Sequence, residues 1–494
     1  MALSGILHRA PERRETLMSS SPQHAARSAA PKTHGRIWHD LHDALVGSHQ
    51  DFTEGPISRA IFLLAVPMIL EMAMESLFGI VDVFFVARLG TDSVATVALT
   101  EGMLTIIFGV AMGLSMATTA MVARRTGEKD PRGAAVAAVH SIALGILISV
   151  AVALVGGFNA PRLLKLMGAS PGVIHTGSGY TTIVLSCVSI IFMLFLINGI
   201  FRGAGDATMA MRTLWLANLI NIVLDPCLIN GWGPFPKMGV VGAAVGTAIG
   251  RGTGVLFQLW VLFGSRGRIA VLRQDIQIHL DVLVRLVRVS VSGMLQFLVA
   301  TASWLGLVRI IAEFGSAALA GYTIAIRIII FAILPSWGMA NAAATLVGQN
   351  LGARKPERAE RSVWLTGFYN MWFLLAVTIV FIVFAEKLIG IFATDPEVLR
   401  HGTNCLRIVS YGYVFYAYGM VMVQAFNGAG DTVTPTLINL FCYWLWQIPM
   451  AYTLARTLQL GPKGVFTAIA ISESTLAVVS MLVFRRGKWK QQKI

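Results

Sequence analysis

Several carboxylates in this sequence lie where a carboxylate is costly. Glu71, Glu75 and Asp82 fall within one apolar stretch. At about 100° per residue their spacings of 4, 7 and 11 put all three on one face of a helix. A second stretch carries Asn221 and Asp225, four apart and on one face, with Pro226 directly after. Thr247 follows in the small-residue run GVVGAAVGTAIG (239–250), a composition that lets helices approach closely. An ionisable side chain in the middle of a bilayer costs about 2.5–3.5 kcal/mol on insertion scales, so each one calls for a reason. Carboxylate, amide and hydroxyl oxygens suit a hard cation or a proton. Asp82, Asn221, Asp225 and Thr247 are therefore the candidate ion-coupling set, for H+ or for Na+, the one candidate metal ion. Pro226 has no N–H to give the Ile222 carbonyl, which leaves one more oxygen near the carboxylate. Pro67, one turn before Glu71, should hinge the first helix. Glu71 and Glu75 have two readings: facing a cleft to attract cationic substrate, or pairing with Arg251 or another buried donor.

The elements that must position these groups are membrane spans. The chain has 494 residues, 55% hydrophobic and 13% charged, with mean hydropathy +0.69; soluble domains carry about 25% charged residues. The net charge of +14 does not point to nucleic acid, because the basic residues gather at the ends of apolar segments, where they set topology. Twelve segments are long enough to cross a bilayer, the first centred near Ile69 and the last near Ala470. With the N-terminus inside, most of the 39 Lys and Arg residues fall on the inner side, Arg124, Arg125, Arg202, Arg354 and Lys355 among them. Arg251 and Arg327 fall within spans. A multi-pass cell-membrane protein with both termini cytoplasmic is expected. Cys187, Cys227, Cys405 and Cys442 lie in apolar stretches without metal-ligand spacing and read as packing residues.

A shift of 225 residues superposes the sequence on itself. Gly90 falls on Gly315, Gly113 on Gly338, Gly127-x-x-x-Pro131 on Gly352-x-x-x-Pro356, Pro171 on Pro396, FRGAGD (201–206) on FNGAGD (426–431) and Gly239 on Gly464. Each half holds six spans, an even number, so both enter from the same side, as a parallel transporter repeat. The expected fold is an all-α integral membrane protein: twelve transmembrane helices in two six-helix bundles around a central cleft. The expected domains are a flexible cytoplasmic tail (1–55), a first lobe (56–263), a cytoplasmic linker (264–282), a second lobe (283–484) and a basic cytoplasmic tail (485–494). The acids are not duplicated. The same shift turns Glu71 into Gln296, Glu75 into Ala300, Asp82 into Leu307, Asn221 into Trp446, Asp225 into Met450 and Thr247 into Ser472. Gln296 joins Glu71 and Glu75 as a candidate cavity residue, and the ion site is expected in the first lobe alone.

GIVDVFFVARLG (79–90), the glycines at 127 and 352, the paired RGAGD and NGAGD turns, and NIVLDP (221–226) followed by GVVGAA together resemble the multidrug and toxic compound extrusion (MATE) family over about residues 56–484. The resemblance implies two bundles with a V-shaped cleft and antiport of cationic or amphipathic compounds against Na+ or H+. Asp82 matches the family's first-helix aspartate. Asn221, Asp225 and Thr247 match the N-lobe cluster of the DinF-like, archaeal-type branch, and Pro67 matches its bending proline. The acid that some branches carry in the seventh helix has no counterpart here, and the tenth, about 402–426, lacks Asp and Glu, so no C-lobe ion site is expected.

The expected function is therefore a secondary antiporter that exports small cationic or amphipathic compounds by alternating access. It is not an enzyme, has no cofactor beyond the coupling ion, binds no nucleic acid, and acts as a monomer in the lipid bilayer. A flippase for lipid-linked saccharides is the alternative; it should line its cleft with arginines. Tyr411, Tyr413, Phe415, Tyr416 and Tyr418 read as an aromatic belt or packing, with a drug-binding wall as the other reading. His140 reads as a packing histidine. Glu473 reads as a hydrogen-bonded structural acid, or else a second proton-active group.

Overall fold

The computed structural model describes residues 33–47, 50–264, 266–277, 279–492 and 494. A short helix, α1 (Thr33–Val46), precedes the bundle. The first lobe comprises α2 (Ile57–Ala87), α3 (Thr91–Gly127), α4 (Pro131–Leu166), α5 (Pro171–Ser186), α6 (Val188–Gly203), α7 (Ala207–Asn230) and α8 (Val240–Phe263). The second comprises α9 (Leu280–Ala312), α10 (Ser316–Gly352), α11 (Pro356–Gly390), α12 (Pro396–Ser410), α13 (Tyr413–Ala429), a composite helix and α16 (Pro462–Arg485). The composite runs through α14 (Val433–Asn439), a π-helical stretch (Leu440–Gln447), α15 (Ile448–Tyr452) and a second π-helical stretch (Thr453–Thr457). Among the described residues nine helices are each long and apolar enough to cross a membrane, and the bent pairs α5–α6 (41°) and α12–α13 (60°) add two more. The composite helix supplies the twelfth.

The duplicated prolines start helices. Pro131, Pro171, Pro356 and Pro396 each occupy a first helical position, where a missing N–H costs nothing. The duplicated glycines draw the halves together. A Cβ at Gly113 would meet the backbone of Ser290 and Met294, both at 2.5 Å, and one at Gly338 would meet the Met68 carbonyl at 2.5 Å. Gly127 and Gly352 lie against each other and would clash with Gln349 and Arg124 backbone if either had a side chain. The seams α3–α9 and α10–α2 are therefore the same contact repeated with the lobes exchanged, and Gly127 and Gly352 close it at one end of the bundle.

The structure corrects or adds to four expectations. The stretch 40–55 is not a flexible tail. Ala44 and Phe52 are buried, Arg59 bonds Asp43 at 3.0 Å, and Arg358 donates to the carbonyls of Phe52, Glu54 and Gly55. Burial of two apolar side chains and capping of exposed carbonyls fix a segment whose composition reads as polar. The basic C-terminal stretch is likewise docked: Trp489 is buried and stacks on Phe484 at 4.6 Å, and Lys490 pairs with Glu360 at 2.5 Å. The second lobe's first helix begins at Leu280, and its Leu286 and Val289 belong to the core of the first lobe. The fourth correction is to the repeat. Gly239 before α8 (φ 58°, ψ −136°) has its conformational counterpart in Gly461 before α16 (φ 59°, ψ −144°), not in Gly464. The composite helix runs on where the first half has the loop 231–239, and only 458–461 remain to reach α16. From there the register is 222, three residues short of 225.

Candidate functional site

Glu71 and Glu75 of α2 both bond donors on helices of the first lobe. Glu71, 1% exposed, accepts from Arg202 Nη1 at 3.1 Å and Asn198 Nδ2 at 3.2 Å, both on α6. Asn198 in turn accepts from Gln258 of α8 at 2.6 Å. One turn on, Glu75 accepts from Arg251 Nη2 of α8 at 3.0 Å and from Asn218 Nδ2 of α7 at 3.1 Å, and Arg251 lies 5.2 Å from the Phe78 ring. Both glutamates are thus paired with buried donors, and Arg202, placed on the inner side from the sequence, is a buried partner within a helix. Glu75 also reaches a cavity of about 210 Å3 between the lobes, with Met72, Arg202, Trp337, Asn341 and Gln424 around it; Glu71 is not among its lining residues.

The candidate ion set splits into two neighbouring parts. Asn221 Nδ2 donates to Asp225 Oδ1 and to Thr247 Oγ1, each at 3.0 Å, so α7 and α8 are stitched at this level. That geometry depends on Gly246, where any Cβ would collide with Asp225 Oδ1. Asp225 Oδ2 and Asn221 Oδ1 are left buried with no partner. Two unpaired acceptors beside a threonine oxygen match what a Na+ ion or a proton would take up, since buried acceptors are costly when unsatisfied. Asp82 is half-buried and within electrostatic range of Asp225, Glu101 and Arg251. Tyr180 of α5, 8% exposed, lies within range of Asp82, Glu101, Asp225 and Arg251 together. Sequence reasoning missed Tyr180, Glu101, Asn198 and Asn218. The last two carried a signal, because Asn198 and Arg202 are four apart, as Asn218, Asn221 and Asp225 are three and four apart, on single helical faces.

Pro67 lies inside α2, which is continuous from Ile57 to Ala87. His140 is satisfied as expected: its ring bonds the Val136 carbonyl and accepts from the His279 amide, each at 2.8 Å. The four cysteines are free. The aromatic run of α12–α13 divides. Tyr411 and Phe415 face outward, Tyr418 packs on Trp364, and Tyr413 and Tyr416 line a cavity of about 500 Å3 in the second lobe, along with Gln296 and Glu473.

Comparison with known proteins agrees with this architecture. The MatE family model matches residues 67–227 and again 293–453, one match in each half. A probable multidrug resistance protein of Bacillus subtilis, YoeA, is 24% identical over 88% of this chain and 95% of its own. NorM of Thermotoga maritima, also a probable multidrug resistance protein, is 25% identical over 89% of this chain and 94% of its own. A transporter from Pyrococcus furiosus, of known structure and assigned to the MOP superfamily, superposes with a TM-score of 0.84 at 28% identity, covering 90% of this chain and 98% of that one. The chain is a multi-pass membrane transporter of the MATE family.

Proposed function

We propose that this transporter is a secondary antiporter that exports small cationic or amphipathic compounds in exchange for H+ or Na+. The observation that carries the reading is the pair of unpartnered oxygens, Asp225 Oδ2 and Asn221 Oδ1, beside Thr247 and within range of Asp82. Neutralising these acids with a cation lowers the cost of holding them away from water. Arg251 lies near Asp82 and holds Glu75, so filling the acidic pocket alters the field on the pair that pins α2. α2 also carries Pro67 and packs on the second lobe at Gly338, so a bend there would move the seam between lobes. Coupling requires ion and substrate to favour different states of that seam.

The multidrug names of the relatives support the substrate class, and the Lys and Arg distribution supports cytoplasmic termini in a bacterial inner membrane. The lobes then meet at the cytoplasmic end, which makes this an outward-facing state. The flippase alternative loses ground because Arg202 and Arg251 are already bound to Glu71 and Glu75, which leaves neither guanidinium free for a pyrophosphate. The test is ethidium efflux from proteoliposomes under separately imposed Na+ and pH gradients. One of the two gradients should drive efflux; efflux indifferent to both would contradict the proposal.

A further inference from the structure

The register of 222 that relates Gly239 to Gly461 carries past the start of the last helix. It places Glu473 of α16 at the position that Arg251 holds in α8. The register of 225 that relates the seams places Ala300 at the position of Glu75, and Tyr443 at that of Asn218. In the first lobe those three positions hold a carboxylate, a guanidinium and an amide, bonded to one another. In the second lobe the charge at the α16 position is inverted, and the carboxylate facing it is cut back to a methyl group. What is left is a space: the cavity of about 500 Å3 that Ala300 and Glu473 both line.

The lining is one-sided in its chemistry. Among the described residues Glu473 is the only charged one in the lining, and its one hydrogen bond there comes from Tyr443 Oη at 3.4 Å. No described Lys or Arg pairs with it, in contrast to Glu71 and Glu75. Two more acceptors, Gln296 Oε1 and Asn439 Oδ1, are buried and unpartnered, on side chains each 6% exposed. The remaining wall is apolar, aliphatic over the Ile326–Leu334 stretch and aromatic at Trp304, Trp337, Tyr413, Tyr416 and Tyr443. Asn439, Tyr443 and Gln447 follow one another every four residues. They share one face of the helix and reach the cavity together, along a stretch from Leu440 to Gln447 that is π-helical. The chamber shares Met116, Leu334, Trp337 and Gln424 with the cavity between the lobes, so a ligand can enter it from the cleft.

We propose that this chamber is a binding site for a planar organic cation, with Glu473 as its counter-ion. Aromatic faces attract a delocalised cation, the free amide oxygens accept from its N–H groups, and the volume suits a small aromatic molecule. The proposal rests on the export reading above but assigns the substrate to the second lobe, away from the acids of the first.

Ethidium binding to the full-length protein in detergent, read by fluorescence anisotropy, tests it. Glu473→Gln should weaken binding by about tenfold or more, with Glu473→Asp in between. Ala300→Phe, which fills the chamber and leaves Glu473 in the sequence, should weaken it comparably, and it decides the matter if Glu473→Gln fails to fold by size-exclusion profile. The anion fluorescein should not bind. Ethidium binding unchanged in both Glu473→Gln and Ala300→Phe, or no ethidium binding by the parent protein, overturns the proposal. Ion-driven efflux measured on the same preparations reads the export proposal separately, because a transporter with its substrate elsewhere would still couple.

Discussion

The two lobes share one backbone plan and use it in opposite ways. In the first, buried charge is matched inside the protein, Glu71 with Arg202 and Glu75 with Arg251, while among the described residues Asp82 and Asp225 have no cation bonded to them. In the second, the corresponding positions hold Ala300 and Glu473, and the unmatched acid faces a chamber instead of a partner. A carboxylate beside a built-in guanidinium is a structural tie. The same charge beside empty aromatic space leaves the partner to be supplied from outside. Duplication gave both lobes the scaffold, and the difference between tie and vacancy lies in two or three side chains.

The comparison can be broken from either side. The larger effect is expected in the first lobe. Arg251→Met strands Glu75, 26% exposed at its side chain, without its cation; loss of one partner of a buried pair costs about 3–5 kcal/mol. A drop in thermal stability measured in detergent should follow, and adding Glu75→Gln should recover most of it. Recovery is the diagnostic part, since a guanidinium needed only for packing would not be replaced by neutralising its partner. The smaller effect is expected from building the first lobe's tie in the second. Ala300→Glu with Glu473→Arg should fold and lose less stability than the stranded Glu75 does, because the two new charges face and satisfy each other. The double variant should no longer bind ethidium, and retained binding would mean that the chamber's charge is irrelevant to its occupant.

Much of this architecture is legible in the sequence, because it rests on local rules. Pro131, Pro171, Pro356 and Pro396 mark helix starts, Gly127 and Gly352 mark the seam, and the even span count fixes the orientation of the repeat. What was not legible has specific causes. Arg202 is the first residue of the RGAGD run (202–206) and reads as part of that turn, although Asn198 four residues earlier faces the same way. The register changes at the connection 458–461, which is shorter than the loop 231–239 because the composite helix runs on; a constant shift of 225 therefore sets Thr247 against Ser472 and gives Arg251 no charged counterpart. That slip hid the chamber: Glu473 reads as an isolated acid until its counterpart is known to be an arginine. Pairings such as Glu71 with Arg202, 131 residues apart, depend on helix rotation, which apolar periodicity does not resolve in helices buried nearly all round.

The central claim is that the acids of the first lobe carry the coupling ion while the second lobe does not. Its most direct measurement is the counter-flux of ion evoked by substrate. Proteoliposomes are loaded with a pH or Na+ indicator and ethidium is added on the side from which it is exported. The parent protein should move the ion opposite to ethidium. Asp82→Asn combined with Asp225→Asn should fold, insert and give no ion flux, whereas Glu473→Gln should still exchange at raised ethidium concentration. Undiminished ion flux in the Asp82, Asp225 double variant would contradict the account.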